Sequence, residues 1–182
     1  MQQSRNLEAA SGPLYDQLLV TLVAEGDRVA AERLYRRWHP RLVRTARRYA
    51  GDAGLAEQLA QDCWLAVWRG INGLRDPSSF APWIFGILRR QGAGQIARQQ
   101  RERGKAIEAE PALPASQEDS VALRDAFAML PADQRLAAHL HFVEGLTLGE
   151  IAAVQGIPIG TAKTRLFHAR RKLKAALTGD IT

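Results

Sequence analysis

The chain has 182 residues, enough for one or two domains with cores of their own, and its formal net charge of +6 favours a polyanionic partner. A single cysteine, Cys63, excludes an internal disulfide and fits a reducing compartment. No apolar run reaches the roughly 18 residues of a membrane span and the N-terminus has no secretory pattern, so a cytoplasmic location is expected.

Charge is spread unevenly. Residues 1–27 carry one cation and four acids, net −3, and residues 28–103 carry fifteen and six, net +9. Residues 104–120 carry one and four, net −3, and residues 121–182 carry eight and five, net +3. The acidic third block, GKAIEAEPALPASQEDS, has Pro111 and Pro114 and no helical period, so it reads as a linker. The predicted divisions are a flexible N-terminus (1–13), a basic domain (14–103), the linker (104–120) and a second basic domain (121–182).

In chain order, Leu14, Leu18, Leu19 and Leu22 recur at helical spacing ahead of Gly26. Asp27 is placed to cap a second helix with Val29, Ala30, Leu34 and Tyr35 as its apolar face. Pro40 predicts a break or kink, after which Leu42, Ala46 and Tyr49 continue the pattern to Gly51. A third helix starts near residues 52–54, with Leu55, Leu59, Cys63, Ala66 and Val67 on one side and Glu57, Gln58, Gln61 and Asp62 on the other. Trp64 and Trp68, at i and i+4, read as core. The segment INGLRDPSSF is a loop with a turn signal at Asp76-Pro77, and Ser79 leads into an amphipathic helix, FAPWIFGILRR. No strand-like alternation of useful length occurs, so the predicted class is all-α.

In the C-terminal part, Leu130-Pro131 opens a helix with Leu136, Ala137, Leu140 and Val143 as its core face. Thr147 is an N-cap for LGEIAAVQG, and Glu150 completes a capping box. Gly156 supplies a tight turn, and Pro158 stands where the next helix begins. Ala162, Leu166, Ala169 and Leu173 make an inward stripe. Thr161, Lys163, Thr164, Phe167, His168, Arg170 and Arg171 face out. No acid occurs between Ile151 and Gly179. A short helix, a glycine turn and a basic helix form the build of a helix-turn-helix DNA reader.

The run GLTLGEIAAVQGIPIGTAKTRLFHARRKL resembles the region-4 signature of bacterial RNA polymerase sigma factors, which has EIA, a glycine turn, then GT-V-K-S-R-L-x-R-A-R-x-L. Upstream, AEQLAQDCWLAVW resembles that family's AED-L-x-Q-E-x-F-L-x-L-W, and WIFGILRR resembles its W-L-x-x-I-A-x-N. The resemblance covers about residues 14–177 in the family's order, and the two-domain layout resembles the extracytoplasmic-function (ECF) group.

The resemblance implies a protein that brings core RNA polymerase to promoters and has no active site or cofactor of its own. Its implied partners are the polymerase β′ clamp and β flap, promoter DNA and an anti-sigma factor, with the chain a monomer or 1:1 with that inhibitor. Core docking would fall to Glu57, Gln58, Gln61, Asp62 and Leu65, with Gln58 standing where the family has Asp. Capture of the opened minus-10 element would fall to Arg75, Asp76, Ser78, Ser79, Phe80, Arg89, Arg90, Arg98 and Arg101. Arg90 replaces an Asn there, and Gly92 and Gly94, each costing about 1 kcal/mol against Ala in a helix, predict a looser helix end. Minus-35 reading would fall to Thr161, Lys163, Thr164, Phe167 and His168, with Arg165 and Arg171 holding phosphates; His168 replaces an Arg.

No phosphate-cradling glycine loop, nucleophile elbow or HExxH-like pair occurs, and His139 and His141 sit two apart on a helix, pointing in different directions. The C-terminal half taken alone fits a stand-alone helix-turn-helix regulator equally well. The departures at Gln58, Arg90 and Gly94 also leave open a sigma-like protein that no longer initiates.

Overall fold

The computed structural model describes residues 12–47, 53–102 and 121–178, with side chains for all of these except 96–102, 121, 122 and 124. The N-terminal tail to residue 11, Tyr49, Gly51 and the predicted linker lie outside the described residues. Every regular element among the described residues is helical.

Helix α1 (Pro13–Ala24) has proline in its first turn, where an N–H would have no intrahelical partner. It buries Leu19 and Val20 and leaves Leu14 and Leu18 outside, so its inward face is rotated from the predicted leucine repeat. Asp27 caps α2 (Arg28–Ala46), accepting from the backbone N–H groups of Val29 at 2.7 Å and Ala30 at 3.0 Å. Val29 itself is exposed; the buried stripe is Ala30, Leu34, Trp38, Leu42, Thr45 and Ala46. The helix runs through Pro40. Pro40 and Arg36 are both exposed, so water can take the place of the missing N–H at the Arg36 carbonyl.

Helix α3 (Ala53–Gly70) buries Ala56, Leu59, Ala60, Cys63, Trp64 and Val67. Two 3₁₀ turns, Ile71–Gly73 and Pro77–Ser79, lead into α4 (Phe80–Glu102), which continues without a break through Gly92 and Gly94. Trp38 centres this core, edge-on to Phe80 with centroids 5.1 Å apart and 5.9 Å from Phe85, while the Arg41 guanidinium lies 3.8 Å from its ring. Cys63 donates its Sγ–H to the Ile84 carbonyl at 3.6 Å. Burial pushes its thiol pKa up to about 12, with the charge of Arg90 opposing only part of that rise.

The C-terminal part has four helices among the described residues: α5 (Val121–Ala128), α6 (Ala132–Phe142), α7 (Leu148–Gln155) and α8 (Ile159–Thr178). Val143, predicted as core, is exposed just past the end of α6. Ala126, Phe127, Leu130, Ala138, Ala169 and Leu173 form a cluster private to this part. The two parts are packed on each other. Helix α7 lies on α4, and one apolar cluster runs from Leu34, Trp38 and Leu88 into Leu140, Leu146, Ile151 and Ala152.

A buried carboxylate crosses the same seam. Glu144 follows α6, in a turn that Gly145 closes at φ +76°. Its side chain is 0% exposed. Arg41 reaches it from α2, with Nε 2.8 Å from Oε2 and Nη2 3.2 Å from the Glu144 carbonyl. Arg44 Nη2 lies 2.9 Å from Oε1. Thr45 gives its hydroxyl proton to the Arg41 carbonyl at 2.9 Å, so its oxygen accepts from His139 Nε2, also at 2.9 Å. His139 Nε2 is 3.4 Å from Glu144 Oε1 as well.

Burial alone would raise the Glu144 pKa; the hydrogen bond from His139 and the charges of Arg41 and His139 outweigh it and bring the value down from 4.5 to about 2. A carboxyl with a lowered folded pKa contributes stability above its unfolded value and loses it as pH falls toward the folded one. The difference in urea midpoint between this chain and its Glu144→Gln variant should therefore be full at pH 6 and shrink between about pH 4.5 and pH 2. A difference that stays constant over that window would contradict the arrangement.

Candidate DNA-binding and docking surfaces

The helix-turn-helix is assembled by local rules. Thr147 and Glu150 form the predicted capping box: the Glu150 N–H donates to Thr147 Oγ1 at 3.3 Å and the Thr147 N–H donates to Glu150 Oε2 at 2.7 Å. Gly156 sits at φ 63°, ψ 41°, a left-handed conformation that any side chain would strain. Pro158 stands one residue ahead of α8, and its carbonyl accepts from Thr161 and Ala162. Ala162, Ala169 and Leu173 are buried and Leu166 is half-buried, so the inward stripe matches its prediction.

The opposite face of α8 presents Thr161, Lys163, Thr164, Phe167, Arg170 and Arg171 to solvent, with Phe167 62% exposed. His168 is half-buried, edge-on to Phe167 at 5.5 Å. The Thr164 hydroxyl donates to the Gly160 carbonyl at 3.0 Å, leaving its oxygen able to accept. A phenyl ring held out in water beside amines and guanidinia has no folding reason to be there. It is the composition that base edges, thymine methyls and phosphates take up.

Arg165, expected to hold phosphate, is engaged within the motif: its Nη2 pairs with Asp133 Oδ2 at 2.7 Å and its Nη1 donates to Gln155 Oε1 at 2.9 Å. Gln155 in turn donates to the Asp133 carbonyl at 3.0 Å. Asp133, Gln155 and Arg165 thus tie α6, α7 and α8 together. Arg165 positions the reading helix through these contacts.

On α3, Gln58, Gln61, Asp62 and Leu65 are exposed on one face. Glu57 lies at the edge of that face, its Oε1 2.8 Å from His39 Nε2 on α2 and 3.5 Å from Gln61 Nε2. Trp68, predicted as core, is 39% exposed and stacks on buried Trp64 with centroids 4.9 Å apart. With Leu65, 53% exposed and part of the predicted docking set, it gives this polar face an apolar end.

The predicted minus-10 set divides in four. Arg75 and Arg90 are exposed, and Arg89 is half-buried. Arg98 and Arg101 lie on the backbone of α4 with side chains outside the described residues. Asp76, Ser78 and Ser79 are bound to one another: the Asp76 carboxylate accepts from the Ser78 N–H at 2.9 Å, the Ser78 hydroxyl at 2.7 Å and the Ser79 hydroxyl at 3.1 Å. The Ser78 side-chain bond is the main reason the Asp76 carboxyl is held below its usual range. Phe80 departs from its predicted surface role. It is 1% exposed, locked against Trp38, and reaches no surface.

Among the described residues, all in helices and their turns, a helix-turn-helix whose outer face carries cations and no acid stands next to a helical domain with an exposed polar-apolar helix face and exposed arginines. Two family descriptions match the chain: Sigma-70 region 2 at residues 34–102 and Sigma-70 region 4 at residues 120–173. The chain is 28% identical over 180 residues to the RNA polymerase sigma-H factor of Pseudomonas aeruginosa, covering 89% of this chain and 93% of that one. It is 28% identical over 181 residues to the ECF RNA polymerase sigma-E factor of Escherichia coli K12, covering 90% and 94%. The sigma factor RpoE of Bartonella quintana, solved in complex with the anti-sigma factor NepR, matches at 30% identity with a TM-score of 0.69 over 81% of this chain and 96% of that one. CnrH, solved with the cytosolic domain of CnrY, shares the fold at a TM-score of 0.64 and 23% identity. The chain belongs to the sigma-70 family, in its ECF group, and is a sigma factor that directs RNA polymerase to promoters.

Proposed function

We propose that the two parts divide promoter reading between them. Helix α8 reads the minus-35 duplex in the major groove through Thr161, Lys163, Thr164, Phe167, His168 and Arg171. The outward face of α3, with Gln58, Gln61, Asp62 and Leu65, docks on the polymerase β′ clamp, and Trp68 extends that surface. Arg75, Arg89 and Arg90, with Arg98 and Arg101 further along α4, line the path of the opened minus-10 strand. The chain works in the cytoplasm, where polymerase and DNA are, and carries no catalytic centre of its own. An anti-sigma factor, as in the RpoE–NepR complex, is its expected inhibitor.

The observation that carries this reading is Phe167, 62% exposed in the middle of a face of hydroxyls and cations. Run-off transcription with core polymerase over a promoter library tests it. Lys163→Ala with Thr164→Ala should lower discrimination at the minus-35 element at least tenfold, the equivalent of about 1–3 kcal/mol per base contact, with core affinity unchanged. Loss of core affinity in this variant would contradict the division of labour. A stand-alone regulator would bind duplex operator tightly and give no transcript with core.

A further inference from the structure

We propose that Thr164 reads DNA as an acceptor only, so that the minus-35 element preferred by this chain sets a base amino group, on adenine or cytosine, against it and a thymine methyl close by against Phe167. The inference rests on the reading of α8 as the minus-35 helix and gives that reading its base class.

A threonine hydroxyl has one proton to give and two lone pairs. The Thr164 proton is already spent within the helix, on the Gly160 carbonyl one turn back at 3.0 Å. A β-branched side chain in a helix has few rotamers, and this bond selects among them. Thr164 is exposed, so what it offers to a major groove is a lone pair. The guanine and thymine edges meet it with acceptors, leaving no proton between the two oxygens, whereas the amino groups of adenine and cytosine supply one. Phosphate oxygens are acceptors too, so Thr164 is no phosphate holder.

The neighbours of Thr164 sharpen that choice. Lys163, Arg170 and Arg171 carry donors alone, which serve guanine edges and phosphates. No carboxylate, the side chain that accepts from a cytosine amino group elsewhere, occurs between Ile151 and Gly179. The outward groups able to accept are therefore the hydroxyls of Thr161 and Thr164 and the ring of His168, and of these Thr164 has its proton bonded inside the helix. Phe167 stands one turn beyond Thr164, 62% exposed, with the His168 ring edge-on to it at 5.5 Å. Side chains three apart on a helix have Cβ atoms about 5–6 Å apart. Base pairs stack about every 3.4 Å, so the two contacts fall within about two base pairs of each other. A phenyl ring in water gains by covering a methyl, and thymine is the base that presents one in the major groove.

The full chain, alone and with core polymerase, is used to select from duplexes randomised across the minus-35 region. At one position on one strand, adenine and cytosine should both be enriched about fivefold over guanine and thymine, with a thymine selected within about two base pairs. Thr164→Val should flatten that position, and Thr164→Ser, which keeps the acceptor, should preserve it. Base analogues then pair each protein group with its partner. Unsubstituted purine for adenine, or des-amino cytosine for cytosine, should weaken binding about fivefold for the unaltered chain and less than about twofold for Thr164→Val. Uracil for the selected thymine should weaken the unaltered chain about threefold and leave Phe167→Ala indifferent. If Thr164→Val loses its helical circular dichroism, Thr164→Ala takes its place. Guanine or thymine at the flattened position, no flattened position at all, or an amino deletion that costs the variant as much as the unaltered chain would each overturn the proposal. Run-off transcription separates the two readings. Duplex selection with this pattern but no transcript from core would keep the base assignment and remove the minus-35 role, whereas core-dependent transcripts that favour guanine there would remove the assignment alone.

Discussion

Replacing Phe80 by alanine is expected to lower the free energy of unfolding by about 3–5 kcal/mol, the cost of deleting a buried aromatic. The ring is 1% exposed, meets Trp38 edge-on at 5.1 Å and lies 6.0 Å from Trp83, so its loss opens a cavity where α2 and α4 join. Phe167→Ala is the matched control. At 62% exposure it should change stability by no more than about 0.5 kcal/mol and weaken minus-35 binding instead. Urea denaturation of both variants, with duplex binding measured on the same samples, separates a core ring from a reading ring. A stable Phe80→Ala protein with a minus-10 defect alone would return Phe80 to the DNA-contact set.

The second large effect is expected at Arg135, which composition alone would place in solvent. It is 7% exposed, and its guanidinium donates to the Leu130 carbonyl from Nε at 3.2 Å and Nη2 at 2.8 Å, and to the Ala128 carbonyl at 2.7 Å. It therefore satisfies carbonyls at the end of α5 that the helix cannot satisfy itself. Arg135→Leu removes charge-assisted bonds and strands these buried acceptors, a loss of about 3 kcal/mol. The damage should begin at α5, which packs on the back of α8, so hydrogen exchange should quicken in α5 before α2 or α3 responds. Uniform loss of protection across the whole chain would show that Arg135 is not local to that corner.

Where a feature is set by neighbours three or four residues away, the sequence showed it. The Thr147–Glu150 box, the left-handed Gly156, the Asp27 cap and the Ala162–Leu173 stripe are all of that kind, and with the family motifs they identified the class. Where a feature depends on distant residues, periodicity could not reach it. Phe80 and Phe167 are both phenylalanines in amphipathic helices, and only the position of Trp38, far away in sequence, makes one of them core. Arg165 looked like any recognition-helix arginine until Asp133 and Gln155 were brought beside it. Helix α5 was missed because its eight residues, directly after the Pro-containing acidic block, are too few to show a repeating helical period; it packs on α8. Trp68 was assigned inward by its spacing from Trp64, yet the stacked pair leaves the second ring at the edge. The ion cluster at Glu144, whose arginines lie about a hundred residues away, had no local signal at all.

Cys63 has a practical consequence. Burial raises its thiol pKa to about 12, so the thiolate is scarce at neutral pH, and the sulfur lies out of contact with water. The native chain is therefore silent toward maleimides and peroxide. A cysteine introduced at any exposed position becomes its only reactive handle, so dyes, spin labels or cross-linkers can be attached site by site without first removing a core residue.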